Sequence, residues 1–250
     1  MNAKCLVLLP ILLLAFGLGV GSAAESDDAA SPQPALNAAK LPLGWMILLG
    51  RFGGGATMSG GAIEFEDVPR GADEQTTFGA RYGDLINLGV EALFFPTQGR
   101  QFMLSATMQH MYLTTDMNFD DDEYGYEAGL DHRLLRQHMT TACGGIGYRW
   151  LYGERNQHAS SLYGKFGFGG ANMAVDGLTS NSEGGAVVID LGTNYYYRFD
   201  DRMIFGFQFD LRGWGAGYTE TEFDALDTTG QFSNGGFTGL ISVLIGWETL

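Results

Sequence analysis

The second half of the chain repeats a two-residue alternation of apolar and polar side chains. Between residues 187 and 199 nearly all odd-numbered positions are apolar or aromatic, and the even-numbered ones include three polar residues, Asp190, Asn194 and Arg198. The run 203–218 repeats the pattern, with one face formed by Phe205, Phe207, Phe209 and Leu211. Such a period gives strands with one apolar and one polar face. A soluble sandwich tolerates few charges opposite a buried face, whereas a barrel in a bilayer turns the apolar face outward, so the alternation predicts membrane-spanning strands.

The amino end carries the pattern of an export signal. A lysine precedes the apolar run Leu6–Val20, and the small residues Ser22–Ala24 come directly before Glu25. This pattern predicts a signal peptide over residues 1–24 that is cleaved on export. An uncleaved anchor helix is the alternative, but the run is short for a span and no basic cluster follows it. Residues 25–42, rich in Ala, Ser, Asp and Pro, lack a hydrophobic period and predict a short flexible arm.

Composition limits the partners of the protein and the source of its rigidity. Cys5 lies in the predicted signal, so the mature chain keeps only Cys143 and cannot form an internal disulfide. A closed ladder of backbone hydrogen bonds would provide rigidity instead. Removing residues 1–24 deletes one lysine and no acid, which changes the formal charge from −15 to −16. That acidity argues against a nucleic-acid partner.

From Leu43 onward the sequence divides into eight strand-like stretches: residues 43–66, 76–95, 100–119, 133–152, 159–175, 185–199, 203–222 and 235–250. The short connectors are 96–99, 153–158 and 200–202, and the longer, mostly acidic ones are 67–75, 120–132, 176–184 and 223–234. Short turns at one end and long loops at the other are typical of outer-membrane barrels whose termini face the periplasm. The sequence therefore predicts an all-β, eight-stranded antiparallel transmembrane up-and-down barrel over residues 43–250.

Residues 43–250 resemble the small eight-stranded outer-membrane β-barrels of Gram-negative bacteria, the general group of OmpA, OmpW and OmpX. The resemblance rests on the export signal, the strand count, the loop asymmetry and an apolar last strand, Phe237–Trp247. That strand resembles the carboxy-terminal signal read by the barrel assembly machinery, although Glu248–Leu250 follow its last aromatic residue. The resemblance implies a location in the bacterial outer membrane, insertion by that machinery, and contact with membrane lipid and lipopolysaccharide.

Turning the apolar faces toward lipid sends a set of polar residues into the lumen: Glu91, Ser105, Thr107, Gln109, Arg149, Lys165, Asp190, Asn194, Arg198, Gln208, Asp210 and Arg212. In a hairpin centred on Asp201, Asp190 faces Arg212 and Asn194 faces Gln208. An eight-stranded barrel is just wide enough for side chains to fill, and an unpaired charge inside it would be costly. We therefore expect a lumen closed by paired charges, with a polar pathway for a solute or proton as the alternative. In residues 44–61 both faces carry apolar residues, so the alternation does not predict which face points out of the barrel.

Aromatic residues cluster where strands meet short turns and near the carboxy end: Tyr148, Trp150, Tyr152, Tyr195, Tyr197, Phe199 and Trp247. Their amphipathic rings suit the headgroup level of a bilayer, so the cluster predicts an aromatic girdle on the periplasmic side. A platform that stacks sugars or other ligands is the alternative interpretation.

A separate run of acidic residues, Asp120, Asp121, Asp122 and Glu123, offers oxygen ligands for calcium or for magnesium bridging to lipopolysaccharide phosphates. Its spacing lacks the EF-hand pattern, so a solvated loop is the preferred interpretation and no metal site is predicted.

The histidines raise the question of catalysis. His158-Ala159-Ser160 resembles the His-x-Ser arrangement of lipid A deacylases, but it falls in a predicted periplasmic turn with no acidic partner at that level. His132 and His138, with Asp131, could form a metal or acid/base cluster, although loop polarity explains them more simply. His110 is expected to mark the outer membrane interface. The sequence therefore predicts no catalytic residue and no cofactor.

These patterns favour a non-enzymatic outer-membrane barrel with a structural role or with loops that contact lipopolysaccharide, a surface protein or a host ligand. A narrow conduit for small or hydrophobic solutes is the first alternative. An enzyme that modifies lipid A is the second.

Overall fold

The computed structural model describes residues 43–65, 75–117, 132–177, 179–223 and 228–249. The predicted signal peptide (1–24) and arm (25–42) lie outside these ranges. The described residues form eight strands: β1 (Met46–Phe65), β2 (Gln75–Phe94), β3 (Phe102–Asp116), β4 (Leu134–Tyr152), β5 (His158–Val175), β6 (Thr179–Arg198), β7 (Met203–Phe223) and β8 (Thr228–Thr249). Across the described ranges, no helix has the length and apolar character needed to span a membrane.

The strands form one closed antiparallel ring in chain order, so the predicted eight-stranded up-and-down barrel is confirmed. Each strand pairs with the next, and β1 closes the ring by pairing with β8. Following hydrogen-bonded partners once around the ring from Phe52 on β1 leads back to Ala62 on the same strand, a displacement of ten residues. A displacement of this size in eight strands tilts them by roughly 40° from the barrel axis.

The barrel has two unlike ends. The turn end carries the connectors 95–101, 153–157 and 199–202 together with the ends of the ring at Met46 and Thr249. The loop end carries the connectors 66–74, 117–133, 176–178 and 224–227. The expected alternation of short and long connectors is therefore only partly correct, because two loop-end connectors are as short as the turns.

Two predicted loops, 176–184 and 223–234, were wrong because β6 and β8 begin earlier than their hydropathy suggests. β6 begins at Thr179 and β8 at Thr228, and their first residues still pair with β5 and β7. The outward side chains there are polar, so the alternation fades even though the backbone ladder continues. Inward positions such as Ser182 and Phe232 remain buried.

The register of β1 was left open by the sequence and is clear in the structure. Ile47, Leu49 and Arg51 face the interior and are buried, whereas Leu48 and Phe52 are exposed on the outer wall. The glycine-rich middle of β1 permits close pairing with β8. A Cβ atom at Gly53, for example, would lie 2.5 Å from the carbonyl oxygen of Ile241.

The interior is layered and not polar throughout. Near the loop end the lumen is filled by an apolar cluster that includes Met111, Leu113, Met117, Leu135, Met139, Met173, Val188, Phe232 and Leu240. A smaller apolar cluster lies toward the turn end and includes Ile47, Leu93, Phe95, Met103, Tyr196 and Leu244. The paired charges expected from the sequence are inside the ring, but they are not the only filling of the lumen. The narrow interior packs like the core of a soluble protein, and the ionised groups occupy only part of it.

Candidate functional site

The predicted lumen residues all lie inside the ring. Buried positions are occupied by Glu91, Arg149, Lys165, Asp190, Asn194, Arg198, Gln208, Asp210 and Arg212, and also by Ser105, Thr107 and Gln109. They fall into a central polar layer between the two apolar clusters and a smaller group at the turn end.

Arg212 on β7 is the most connected side chain of the central layer. Its Nε donates to Asp190 Oδ1 at 2.5 Å and its Nη2 to Asp190 Oδ2 at 2.9 Å, which forms a two-pronged ion pair. The same guanidinium reaches Gln109 Oε1 at 2.7 Å and Asn87 Oδ1 at 3.2 Å. The strand pairing aligns Asp190 with Arg212, as predicted for a hairpin centred on Asp201.

Asn194 and Gln208 are also aligned across the same hairpin, but their side chains bind elsewhere. Asn194 Oδ1 accepts a hydrogen bond from Ser161 Oγ at 2.7 Å, and Gln208 Nε2 donates to Asp210 Oδ2 at 2.7 Å. The hydroxyl of Tyr163 donates to the other oxygen of the Asp210 carboxylate. Both carboxylate oxygens of Asp210 are therefore held.

Arg51 and Lys165 complete the central layer. The Nζ of Lys165 lies 2.6 Å from Glu91 Oε1, and Nη1 of Arg51 lies 3.8 Å from both Glu91 Oε2 and Asp210 Oδ2. Arg51 also donates to Gln109 Oε1. Three cations therefore face three carboxylates in this layer: Arg51, Lys165 and Arg212 against Glu91, Asp190 and Asp210. Mutual pairing offsets the cost of burying each charge.

A second group closes the turn end. Glu248 Oε2 accepts from Arg198 Nε at 2.7 Å, and Glu248 Oε1 lies 3.6 Å from Arg149 Nη1. The Arg149 guanidinium also lies 3.5 Å from the ring centre of Phe95 and donates to the hydroxyl of Tyr196 at 3.2 Å. One carboxylate thus binds two arginines below the smaller apolar cluster.

An uncharged group crosses the lumen nearer the loop end. The side-chain amides of Gln137 on β4 and Asn234 on β8 exchange two hydrogen bonds, at 3.2 and 2.8 Å. Gln137 also donates to the hydroxyl of Tyr218 at 2.7 Å. The lumen is therefore bridged by polar contacts at three heights.

Sequence reasoning missed Arg51, Glu248 and Tyr163. Arg51 is the one charged residue of residues 43–62, and a charge in a lipid-spanning strand must face inward, so its position carried a usable signal. Glu248 was treated only as a departure from the usual aromatic terminus. Tyr163 gave no signal because a tyrosine suits either face.

The outer wall carries an apolar band. Along β8 exposed apolar residues run from Phe237 to Trp247, ten residue steps that span roughly 24 Å of height at the tilt of this barrel. On β3 the exposed apolar residues Phe102, Leu104 and Met108 give way to a polar side chain at His110. The height matches the apolar band of outer-membrane barrels, which is about 25 Å tall.

The aromatic residues singled out from the sequence lie exposed near the turn end: Tyr148, Trp150, Tyr152, Tyr195, Tyr197, Phe199 and Trp247. Two pairs of these rings contact each other along the chain, two residues apart. Tyr148 and Trp150 meet edge to face at 5.1 Å between ring centres, and Tyr197 and Phe199 do so at 4.8 Å. Trp45, from the segment before β1, extends the same belt.

The histidine that raised the question of catalysis is engaged in this belt. His158 Nδ1 lies 2.9 Å from the hydroxyl of Tyr195, and its imidazole stacks on Tyr152. Ser160 Oγ lies 2.8 Å from the hydroxyl of Tyr152. These contacts with tyrosine hydroxyls differ from those of a nucleophile with its base.

Of the other candidate metal ligands, some lie in the ranges that the structure describes and others do not. The acidic residues Asp120, Asp121, Asp122 and Glu123, and also Asp131, lie outside the described ranges. His110 and His138 lie side by side on the outer wall, which sequence analysis did not foresee. The described part of the chain holds no group of three or more His, Cys, Asp or Glu side chains placed to bind a metal ion.

No protein-family model and no curated protein matches this sequence. Among solved structures the chain is similar to the outer membrane protein OprG from Pseudomonas aeruginosa, with 12% identity, a TM-score of 0.46, and coverage of 84% of this chain and 99% of that one. It is also similar to the outer membrane protein AlkL, solved in DMPC lipid bilayers, with 11% identity, a TM-score of 0.38, and coverage of 90% and 97%. Ail, the attachment invasion locus protein of Yersinia pestis, matches with 12% identity, a TM-score of 0.28, and coverage of 81% and 99%.

Proposed function

We propose that this chain is a non-enzymatic barrel of the bacterial outer membrane, inserted by the barrel assembly machinery. The apolar band and the aromatic belt at the turn end support this location, because lipid is the environment that stabilises an exposed apolar surface of this height. The belt supports an orientation in which the turn end lies at the periplasmic interface of the membrane.

The observation that carries the proposed role is the bridging of the lumen at three heights by buried polar side chains. A continuous path for water or ions would have to break contacts at all three heights: Arg212–Gln109, Gln137–Asn234 and Arg149–Glu248. Breaking them would leave buried polar or charged groups without partners. The closed lumen leaves the outer wall and the loop end as the working surfaces. We therefore assign the protein a structural or surface-interaction role, with lipopolysaccharide, a surface protein or a host ligand as partner.

One observation favours a second candidate, a narrow conduit for hydrophobic solutes. The loop-end half of the lumen is lined by flexible apolar side chains, among them Met111, Met117, Met139 and Met173. Methionine side chains adapt to irregular apolar ligands. The central polar layer would have to rearrange, or the solute would have to leave through the wall, for transport to occur.

Fractionation and conductance test the proposal together. We expect the protein in the outer-membrane fraction, extractable only with detergent, and no steady conductance from the purified barrel in planar bilayers. A protein that stays soluble in the periplasm would refute the location, and a steady wild-type conductance would refute the closed lumen. A channel-forming porin reconstituted in the same bilayers serves as the positive control.

Solute uptake separates the two roles. Cells that carry the gene and cells that lack it should take up a radiolabelled aliphatic or aromatic hydrocarbon at the same rate if the role is structural or adhesive. Faster uptake with the gene, reduced by changing Met139 or Met173 to tryptophan, would favour the conduit.

A further inference from the structure

We propose that His110 and His138 form a binding site for a divalent transition-metal ion of the zinc class on the outer wall of the barrel, near its loop end. The proposed site is independent of the lumen and of the role assigned above. It rests on the placement of two imidazoles on adjacent strands, on the hydrogen bond that orients one of them, and on their exposure.

The spacing of the two rings suits a shared ion. His110 lies on β3 and His138 on β4, two residues apart in register, because His110 pairs with Thr140 and Tyr112 pairs with His138. This register brings His110 Nε2 to 3.4 Å from His138 Nδ1. Two nitrogens that each lie about 2.0–2.1 Å from a tetrahedral zinc ion are about 3.4 Å apart. Small rotations of the two rings would therefore admit the ion without moving the strands.

Thr140 sets the orientation of one ligand. Its hydroxyl lies 2.9 Å from His110 Nδ1, on the far side of the ring from His138. When Nδ1–H donates to that oxygen, Nε2 carries the free electron pair that a metal requires. An oriented second ring nitrogen is the usual support of a metal-binding histidine.

His138 is held by packing. Its ring lies against Tyr112, with 4.7 Å between ring centres, and against His110, with 5.5 Å. Without metal, His138 Nδ1–H can donate to His110 Nε2. On metal binding that proton passes from Nδ1 to water, and water returns a proton to His138 Nε2, so the ring only changes tautomer and stays neutral.

The nature of the ligands selects the class of ion. Neutral imidazole nitrogens bind Zn²⁺, Ni²⁺ and Cu²⁺, whereas Mg²⁺ and Ca²⁺ prefer oxygen ligands. Two protein ligands leave the remaining coordination positions to water or to an exogenous donor. We therefore expect an open site of moderate affinity.

Access and local charge are compatible with this site. His110 and His138 are exposed, and they lie where the apolar band of β3 ends, so an ion can reach them from the aqueous side. The nearest cation along β4 is Arg136, whose guanidinium is paired with Asp176 at 2.8 Å. That pairing reduces the repulsion between Arg136 and a bound ion.

Calorimetric titration with Zn²⁺ tests the site. The protein is purified in detergent without a polyhistidine tag, and the buffer contains excess Ca²⁺ and Mg²⁺ to occupy oxygen-ligand sites such as the acidic run. We expect one Zn²⁺ per chain. His110→Ala and His138→Ala should each abolish this binding, and Thr140→Val should weaken it about 10-fold through loss of the orienting hydrogen bond.

Two controls make the result specific. His158→Ala removes an imidazole at the opposite end of the barrel, and combined Asp-to-Asn changes at positions 120, 121 and 122 remove the acidic run; neither should alter the affinity. Every variant should keep the heat-modifiable gel shift of the folded barrel; the side chains of His110, His138 and Thr140 are exposed on the outer wall. Absence of Zn²⁺ binding to the wild type, or binding that survives both His110→Ala and His138→Ala, would overturn the proposal.

Discussion

Arg212 on β7 donates a hydrogen bond of 2.7 Å to Gln109 on β3, the strand on the opposite wall of the ring. The two strands are four places apart in a ring of eight, so the bond crosses the full width of the lumen. The Gln137–Asn234 and Arg149–Glu248 contacts join β4 and β8, which are also opposite. The backbone ladder joins only neighbouring strands, and these side chains therefore provide the ties that resist flattening of the barrel.

The first prediction concerns the buried pair of Arg212 and Asp190. Arg212→Ala leaves the Asp190 carboxylate buried without its cation, and breaking a buried pair in this way costs about 3–5 kcal/mol. Removing both charges, with Asp190→Ala and Arg212→Ala together, should destabilise the barrel less than Arg212→Ala alone. The measurement is the folded fraction in a heat-modifiable gel shift over a urea series.

The matched control for this cycle is Arg155, which pairs with Asp200 on the exposed surface at 3.1 Å. Arg155→Ala should change stability by less than about 1 kcal/mol, because exposed pairs contribute little. A double change at positions 190 and 212 that is worse than the sum of the single changes would disprove the pairing argument.

The second prediction compares two glycines of β6. Gly192 faces the lumen, and a Cβ atom there would collide with Asp210 Oδ1 and the hydroxyl of Tyr163, whereas Gly185 faces outward with open space. Gly192→Ala should cost about 1–3 kcal/mol of stability through overpacking, and Gly185→Ala should be close to neutral. Urea unfolding of the refolded barrels measures both. Equal effects of the two changes would show that the central layer is looser than its contacts indicate.

Features that depend on residues close together along the chain could be predicted from the sequence. Alternation gave the strand count, and the tight connector after β6 gave the register that aligns Asp190 with Arg212, because the partners of a hairpin follow from its centre. The early starts of β6 and β8 could not be predicted in this way. Beyond the apolar band, outward residues such as Glu183 are polar. A strand with two polar faces shows no hydropathy alternation and is therefore predicted to be a loop.

Contacts across the ring were beyond the reach of sequence reasoning. The position of Arg51 against Glu91 and Asp210 depends on the closure of β1 onto β8 and on the displacement of ten residues around the ring. No local pattern encodes that displacement. Glu248 is likewise positioned against Arg149 only once the ring is closed.

The third prediction uses Cys143, the one cysteine of residues 25–250. Cys143 is buried in the loop-end apolar cluster, next to Gln109. It should react with a water-soluble maleimide about 100-fold more slowly than a cysteine at the exposed position 181 on the same barrel with Cys143→Ala, since buried structural thiols are inert. Mass spectrometry follows the labelling. Equal rates would mean that water reaches the lumen freely.

The last prediction locates the bilayer with tryptophan fluorescence. Trp45, Trp150 and Trp247 are exposed near the turn end, whereas Trp214 is buried in the lumen, where its Nε1 donates to Thr57 Oγ1 at 3.2 Å. Single-tryptophan barrels, with the other three changed to phenylalanine, are reconstituted in lipids brominated either near the headgroup or near the chain end. Trp150 and Trp247 should be quenched most by bromine near the headgroup, because belt residues lie at that depth. Trp214 should be quenched weakly by both lipids, since the barrel wall separates it from the acyl chains. Strong quenching of Trp214, or preferential quenching of Trp150 by bromine at the chain end, would contradict the assignment of the outer wall to lipid.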